Sequence, residues 1–165
     1  MRDFRRLGGL DLLPRLLVSG GELDLGVARS ILEARLYVGP KIAELAARRT
    51  GAAIEDDLRA TVALLAAETD GVRRQRHALV FWEQVVAGAE SITFRLMFNS
   101  MRAAYEPVLD ALAVVMSAEV DRVEAYDALA DAIAAGDGAT ARERAHDLLA
   151  VATTSLTDAL DALEK

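Results

Sequence analysis

The chain has 165 residues, enough for one domain with a substantial core, and 53% of them are hydrophobic. It contains no cysteine, which excludes disulfides, thiolate metal sites and a cysteine nucleophile. The net charge of −7 excludes the basic footprint of a duplex-binding surface, so this segment alone is expected to bind DNA poorly. Because the sequence has neither an apolar run of about 18 residues nor the apolar core of a signal peptide, we expect a cytoplasmic protein with no membrane span.

Apolar residues recur at helical spacing along the chain, and only three prolines interrupt them. Gly20 and Gly21 are expected to end a first short helix, Asp70 and Ser91 to cap later ones, and Gly136 to end another. The predicted helices span residues 10–18, 23–49, 54–67, 72–87, 92–116, 119–135 and 139–163. The pattern therefore predicts an all-α, antiparallel bundle of six to seven helices, with no convincing strand.

Two of the three prolines are expected to distort these predicted helices. Pro40 is expected to kink or break the second helix near Gly39, because proline lacks the backbone N–H and clashes with the preceding turn. Pro107 is expected to bend the helix over residues 92–116.

The side chains that commonly carry catalysis do not form a recognisable pattern. His77 and His146 have no partner at a metal-ligand spacing, and the sequence contains neither a phosphate-binding loop nor a nucleophile elbow. Most carboxylates lie on polar helix faces, which is typical of solvated surfaces. We therefore expect no enzyme activity and no cofactor.

Three stretches, in this order and spacing, resemble one family. They are LEARLYVGPKIAELAA at residues 32–47, FW at 81–82 followed by FRLMFNSMRAAY at 94–105, and Tyr126 followed by AIAAGD at 132–137 and Leu148. The segment DFRRLGGLDLL at residues 3–13 adds to them. Together they resemble the C-terminal domain of GntR-class bacterial regulators of the FadR subfamily. The resemblance implies a linker and short N-terminal helix over residues 1–21, and an effector-binding and dimerisation domain over residues 22–165.

Many members of that wider family bind a metal ion, and the resemblance places the four ligand positions on Ala78, Trp82, Tyr126 and Leu148. None of these side chains supplies the imidazole nitrogen or carboxylate oxygen that such sites need. We therefore expect no bound metal. The departure favours the metal-free branch of the family, whose members sense long-chain acyl-CoA.

The candidate ligand-binding residues are mostly large and apolar. They are Arg35, Ala78, Phe81, Trp82, Phe98, Met101, Tyr105, Tyr126 and Leu148. Four of them are equally explained as ordinary core: Phe81, Trp82, Phe98 and Met101. Arg35 lies on an otherwise apolar helix, so it either reaches solvent, pairs with a carboxylate of the fold, or meets an acidic group of a ligand.

Two classes of function follow. The first is the ligand-sensing and dimerisation domain of a FadR-like regulator: a homodimer that binds a small apolar effector, with an acyl-CoA or fatty acid suspected. It would contact DNA only through a winged-helix domain that this sequence does not contain. The alternative is a ligand-free helical interaction module. The volume of the internal cavity discriminates between them, because a ligand site typically offers about 300 Å³ or more.

Overall fold

The computed structural model describes residues 4–163 and is an all-α bundle with seven helices of twelve residues or more in that range. Residues 1–3 of the expected N-terminal segment lie outside the described residues, as do residues 164 and 165. Single 3₁₀ turns occur at Leu10–Leu12, Gly51–Ile54 and Glu106–Val108. The helices and strands are α1 Phe4–Leu7, α2 Leu13–Leu17, β1 Val18–Ser19, β2 Glu22–Leu23, α3 Leu25–Arg49, α4 Glu55–Ala67, α5 Gly71–Gly88, α6 Ile92–Tyr105, α7 Leu109–Val120, α8 Val123–Ala134 and α9 Gly138–Leu163.

Short polar side chains begin several of these helices. At the start of α3, the Asp24 carboxylate accepts a hydrogen bond from the backbone N–H three residues later, and the Asp70 carboxylate does the same at the start of α5. Both distances are 2.9 Å. The Ser91 hydroxyl does the same for α6 at 3.4 Å. These bonds satisfy N–H groups that have no partner within the helix, and they confirm the caps predicted at Asp70 and Ser91. Gly136, at φ +70°, follows α8 as predicted.

Three expectations about local structure were wrong. Gly20 and Gly21 do not simply end a helix: both have positive φ and turn the chain between β1 and β2, with Val18 paired to Leu23. Of the kink or break expected at Pro40, the break does not occur: α3 continues through Pro40, since both Gly39 and Pro40 are buried in the bundle and tertiary packing offsets the missing hydrogen bond.

The third correction concerns the helix predicted over residues 119–135. A turn at Asp121 and Arg122 separates α7 from α8, so Glu119 lies near the end of α7 and not at the start of α8. The single helix predicted over residues 92–116 is also divided, because the 3₁₀ turn at Glu106–Val108, which contains Pro107, separates α6 from α7. The turn at residue 121 contains neither glycine nor proline, which is why the sequence did not indicate it.

α3 and α9 form the long antiparallel centre of the bundle. The start of α9 at Gly138 lies beside Arg48 at the end of α3, while Thr153 donates to the backbone oxygen of Leu32 at 3.4 Å. One hydrophobic core lies on the Arg48 side of this pair and includes residues of α4, α5 and α8. A second lies on the Leu32 side and includes Leu17 and residues of α6 and α7. In the part of the chain that the structure describes, no helix combines the length and the apolar character needed to cross a membrane.

Candidate functional site

A cavity of about 100 Å³ lies where the two cores meet, bounded mainly by α3, α5, α6 and α7. Leu32 and Met116 of the second core line it together with Ile42 and Val86 of the first. Its wall is largely apolar. Six of the nine predicted ligand residues line it: Arg35, Ala78, Trp82, Phe98, Met101 and Tyr105.

The other three predicted residues, Phe81, Tyr126 and Leu148, are not among the residues lining this cavity; they are at most 1% exposed within the first core. Phe81 stacks edge-on against Trp82, with ring centroids 6.0 Å apart, and against Tyr126, with centroids 5.1 Å apart. The edge-on contact with Phe81, on the side of the first core, fixes the orientation of the Trp82 ring. The next residue, Leu149, lines the cavity in place of Leu148.

Arg35 is paired with a carboxylate of the fold, which decides among the alternatives left open by the sequence. Its Nη2 donates to Oε1 of Glu119, and the Tyr126 hydroxyl donates to the same oxygen at 3.0 Å. Glu119 is fully buried, whereas 21% of the Arg35 side chain is exposed. Burial works against the charged guanidinium, but the charge and hydrogen bond of Glu119 outweigh it and raise the pKa of Arg35. Arg35 therefore stays protonated and forms a salt bridge with the buried Glu119.

A second polar pair lies on the same cavity wall. The Tyr105 hydroxyl donates to the amide oxygen of Gln75, and the amide nitrogen of Gln75 donates to the backbone oxygens of Leu109, at 3.0 Å, and Gly71, at 3.3 Å. Burial raises the pKa of Tyr105 well above its usual value, as it does for Tyr126. Both phenols therefore stay neutral near pH 7 and act as hydrogen-bond donors.

Three buried polar atoms of the lining residues have no hydrogen-bond partner among residues 4–163: Arg35 Nη1, Trp82 Nε1 and Glu119 Oε2. Two are donors and one is an acceptor. Leaving such a group unpaired costs about 1–3 kcal/mol, and each of the three atoms has almost no accessible surface, so a polar partner would reach it only after neighbouring side chains move.

Glu119 and Gln75 are functional candidates that the sequence interpretation missed. Glu119 follows a largely apolar run in α7, where an isolated carboxylate was a usable signal, but the helix boundary was placed on the wrong side of it. Gln75 lies between arginines in a polar stretch, which gave no signal. Of the methionines, Met97 and Met116 also line the cavity beside the predicted Met101.

The expected metal positions do not form a metal site. Within the described part of the chain, no three histidine or acidic side chains are grouped closely enough to hold an ion. Ala78, Trp82, Tyr126 and Leu148 offer no imidazole or carboxylate, and Glu119, the nearby carboxylate, is committed to Arg35. His146 lies on the surface with 58% of its side chain exposed. The donor set thus does not fit the metal-binding mode of the resembled family.

Comparisons with known proteins give one family model and two relatives that match this chain. Residues 30–151 match the family model described as FCD domain. The chain is 53% identical over 156 residues to the HTH-type transcriptional regulator Mce2R of Mycobacterium tuberculosis and to the uncharacterized HTH-type transcriptional regulator Mb0601 of Mycobacterium bovis. The matched region covers 94% of this chain but only 65% of each relative, so the chain spans just under two thirds of their length. No solved structure gives a significant match.

Proposed function

The chain belongs to the FCD domain family, the C-terminal effector-binding domains of GntR-class regulators, and we propose that it is the effector-sensing and dimerisation part of a transcription regulator. The observation that carries the proposal is the apolar cavity between the two cores, which Arg35, Trp82 and Glu119 line together with the methionines of α6.

We propose an apolar effector, with an acyl chain as the first class to test. The cavity of about 100 Å³ is partly open to solvent but smaller than the roughly 300 Å³ of a typical ligand site, so a long chain requires it to widen. α6 is the element placed to provide it. Ala104 is its sole fully buried residue, and it contributes Met97, Phe98 and Met101 to the cavity wall. Methionine adapts to ligands of irregular shape, so displacement of α6 would enlarge the site without breaking a large core.

An effector acts on DNA binding only through different affinities for two arrangements of the protein. We propose that the two arrangements differ in the position of α6 and that the whole regulator is a homodimer. Large apolar residues on the outer side of α6 remain exposed, with Ile92 at 72% and Leu96 at 59%. Light scattering of the purified chain should give a dimer mass; a monomer at micromolar concentration would overturn the dimer proposal.

The cavity volume favours a second candidate, a ligand-free helical interaction module, because 100 Å³ lies below the size of most effector sites. Calorimetric titration with acyl-CoAs of graded chain length separates the two. For an effector site, affinity should rise by up to about fourfold per methylene, which corresponds to about 0.8 kcal/mol before ordering costs. Affinity independent of chain length would remove the acyl proposal. No thermal stabilisation by any acyl-CoA would leave the interaction module.

Gly39→Ala is the matched structural test of the site. A Cβ on Gly39 would overlap Cδ1 of Leu149 and lie 3.8 Å from the Trp82 ring, so Leu149, which lines the cavity, would have to move. Binding should fall at least about tenfold, while the gain in helix propensity of about 1 kcal/mol limits the loss of stability. Gly71→Ala is the control, because a Cβ there meets nothing within 4 Å.

A further inference from the structure

A groove of about 420 Å³ lies on the surface between α3 and α9. Tyr37 and Lys41 of α3 and Arg142 of α9 are among the residues that line it. Within the described range 4–163, the groove shares no lining residue with the cavity between the two cores. At 3.6 residues per turn, Tyr37 projects from the side of α3 opposite to Arg35, which lines that cavity. The groove is therefore a separate place on the molecule.

Three cations gather around one buried carboxylate beside the groove. Oε1 of Glu44 lies 3.3 Å from Nζ of Lys41 and 2.8 Å from Nη1 of Arg48, and Oε2 lies 3.8 Å from Nη1 of Arg142. Burial disfavours the charge of Glu44, but the neighbouring cations outweigh it and lower its pKa, so the carboxylate stays ionised. Through this shared partner, Lys41 and Arg142 of two different helices are held close together in the wall of the groove.

The cluster carries more positive than negative charge. Three cations around Glu44 leave an excess of two positive charges, and Glu143, which is exposed in the groove wall, reduces the excess to one. Lys41 and Arg142 are exposed and have more N–H donors than one carboxylate can accept, so the remaining donors are open to a ligand. Because the whole chain carries a charge of −7, an anion bound here would be held by local contacts and not by the overall field.

The groove offers more room than an inorganic ion needs. Its volume lies within the range of roughly 300–1,000 Å³ that is typical of small-molecule sites. Tyr37 lines it and is 81% exposed, so its ring contributes little to the core and is available to a ligand ring, which it could contact face to face with an offset or edge-on. The groove thus combines an anion-binding part with an aromatic surface.

We propose that this groove is a second ligand site and that it binds an organic phosphate. The phosphate oxygens accept hydrogen bonds from Lys41 and Arg142, and the ring or apolar body of the ligand lies against Tyr37. A phosphate ester carries three acceptor oxygens and close to two negative charges above pH 7, which suits two cations better than the single charge of a carboxylate does. The site does not depend on the proposed effector cavity, so the two proposals can fail separately.

Phenyl phosphate, inorganic phosphate and benzoate separate the contribution of the ring from that of the charge. Each is titrated into the ¹⁵N-labelled chain at about pH 7.5 and low salt, where ion pairs are least screened. Phenyl phosphate should cause saturable NMR shifts of the backbone N–H signals of Lys41 and Arg142. It should bind about threefold more tightly than inorganic phosphate through the ring contact, and about fivefold more tightly than benzoate through its second charge. Tyr37→Ala should abolish the first difference.

Arg142→Gln and Arg144→Gln form a matched pair, because they remove the same charge from nearby positions of α9. Arg142 lines the groove, whereas Arg144 lines a different pocket. Arg142→Gln should weaken the binding of phenyl phosphate about fivefold, and Arg144→Gln should weaken it less than about twofold. Glu143→Gln should strengthen binding, because it removes a repelling charge from the wall. Arg48 remains paired with Glu44 in the Arg142→Gln variant, which preserves the fold around the groove.

Three results would contradict the proposal. If phenyl phosphate causes no saturable shift at Lys41 and Arg142 up to about 10 mM, the groove is not a ligand site. Equal losses in the two arginine variants would show attraction by general charge without a site. If inorganic phosphate binds as tightly as phenyl phosphate, or if Tyr37→Ala changes neither affinity, the groove does not select an organic body. The acyl-CoA titration tests the cavity independently of all three.

Discussion

The ion pair between Arg35 and Glu119 is the contact whose removal should have the largest effect on stability. Arg35→Met keeps the length of the side chain and leaves the Glu119 carboxylate buried, with the Tyr126 hydroxyl as its remaining partner. Glu119→Gln keeps the shape and leaves an uncompensated guanidinium. Breaking a buried pair from one side costs about 3–5 kcal/mol. Since 21% of the Arg35 side chain is exposed, the lower end of about 3 kcal/mol is expected for each variant.

The double variant Arg35→Met with Glu119→Gln should be much less destabilised than the sum of the two single variants. Both charges are then absent, the amide at residue 119 still accepts from Tyr126, and a loss of about 1–2 kcal/mol is expected. The coupling energy of the cycle, which is the summed loss of the single variants less the loss of the double variant, is then about 4–5 kcal/mol. In a domain of this length, each single variant should lower Tm by about 6–12 °C.

Urea unfolding at pH 7 and at one fixed protein concentration measures the cycle, and the fixed concentration removes any effect of dimerisation on apparent stability. The slope of the free energy of unfolding against urea should be the same in all four proteins, because the buried area does not change. Losses that add within about 0.5 kcal/mol would show that the two side chains do not interact in solution, and the account of the cavity wall would be wrong.

Three further outcomes are expected. Tyr126→Phe should lower stability by about 1.5–3 kcal/mol in urea unfolding through the lost hydrogen bond to the Glu119 carboxylate, whereas Tyr37→Phe, at 81% exposure, should change it by less than about 0.5 kcal/mol. The backbone N–H and hydroxyl of Thr140 hold the pKa of Asp137 below its usual range. The unfolded chain therefore binds more protons in acid than the folded chain does, so the ionised Asp137 stabilises the fold above about pH 4. That stabilisation should disappear as the pH falls through the lower pKa of the folded state. Thermal unfolding between pH 5 and pH 3 should show a smaller drop in Asp137→Asn, which keeps a capping oxygen; an equal drop would contradict the assignment. Elemental analysis after dialysis should find less than one zinc or nickel ion per chain, and one equivalent lost on changing Trp82 would show that the ligand positions were misaligned.

The sequence was sufficient for the features that depend on neighbouring residues. Helix propensity and 3.6-residue periodicity predicted an all-α bundle, and the caps at Asp70 and Ser91 and the end at Gly136 were correct because each depends on a few adjacent residues. The family resemblance was also readable, since it rests on the order and spacing of motifs along the chain. The same motifs supplied the nine proposed ligand residues, and six of these line one cavity.

The partners of buried polar groups were decided by the tertiary structure alone. Arg35 and Glu119 are 84 residues apart, and periodicity shows which face of a helix is buried but not what it meets. The same limit applies to Pro40, which stays helical because packing around it outweighs the lost hydrogen bond, and to the turn at Asp121, which has no local signal. The volume of the cavity depends on how side chains from four helices interlock. Arg35, Trp82 and Glu119 come together around it only because the two cores meet there.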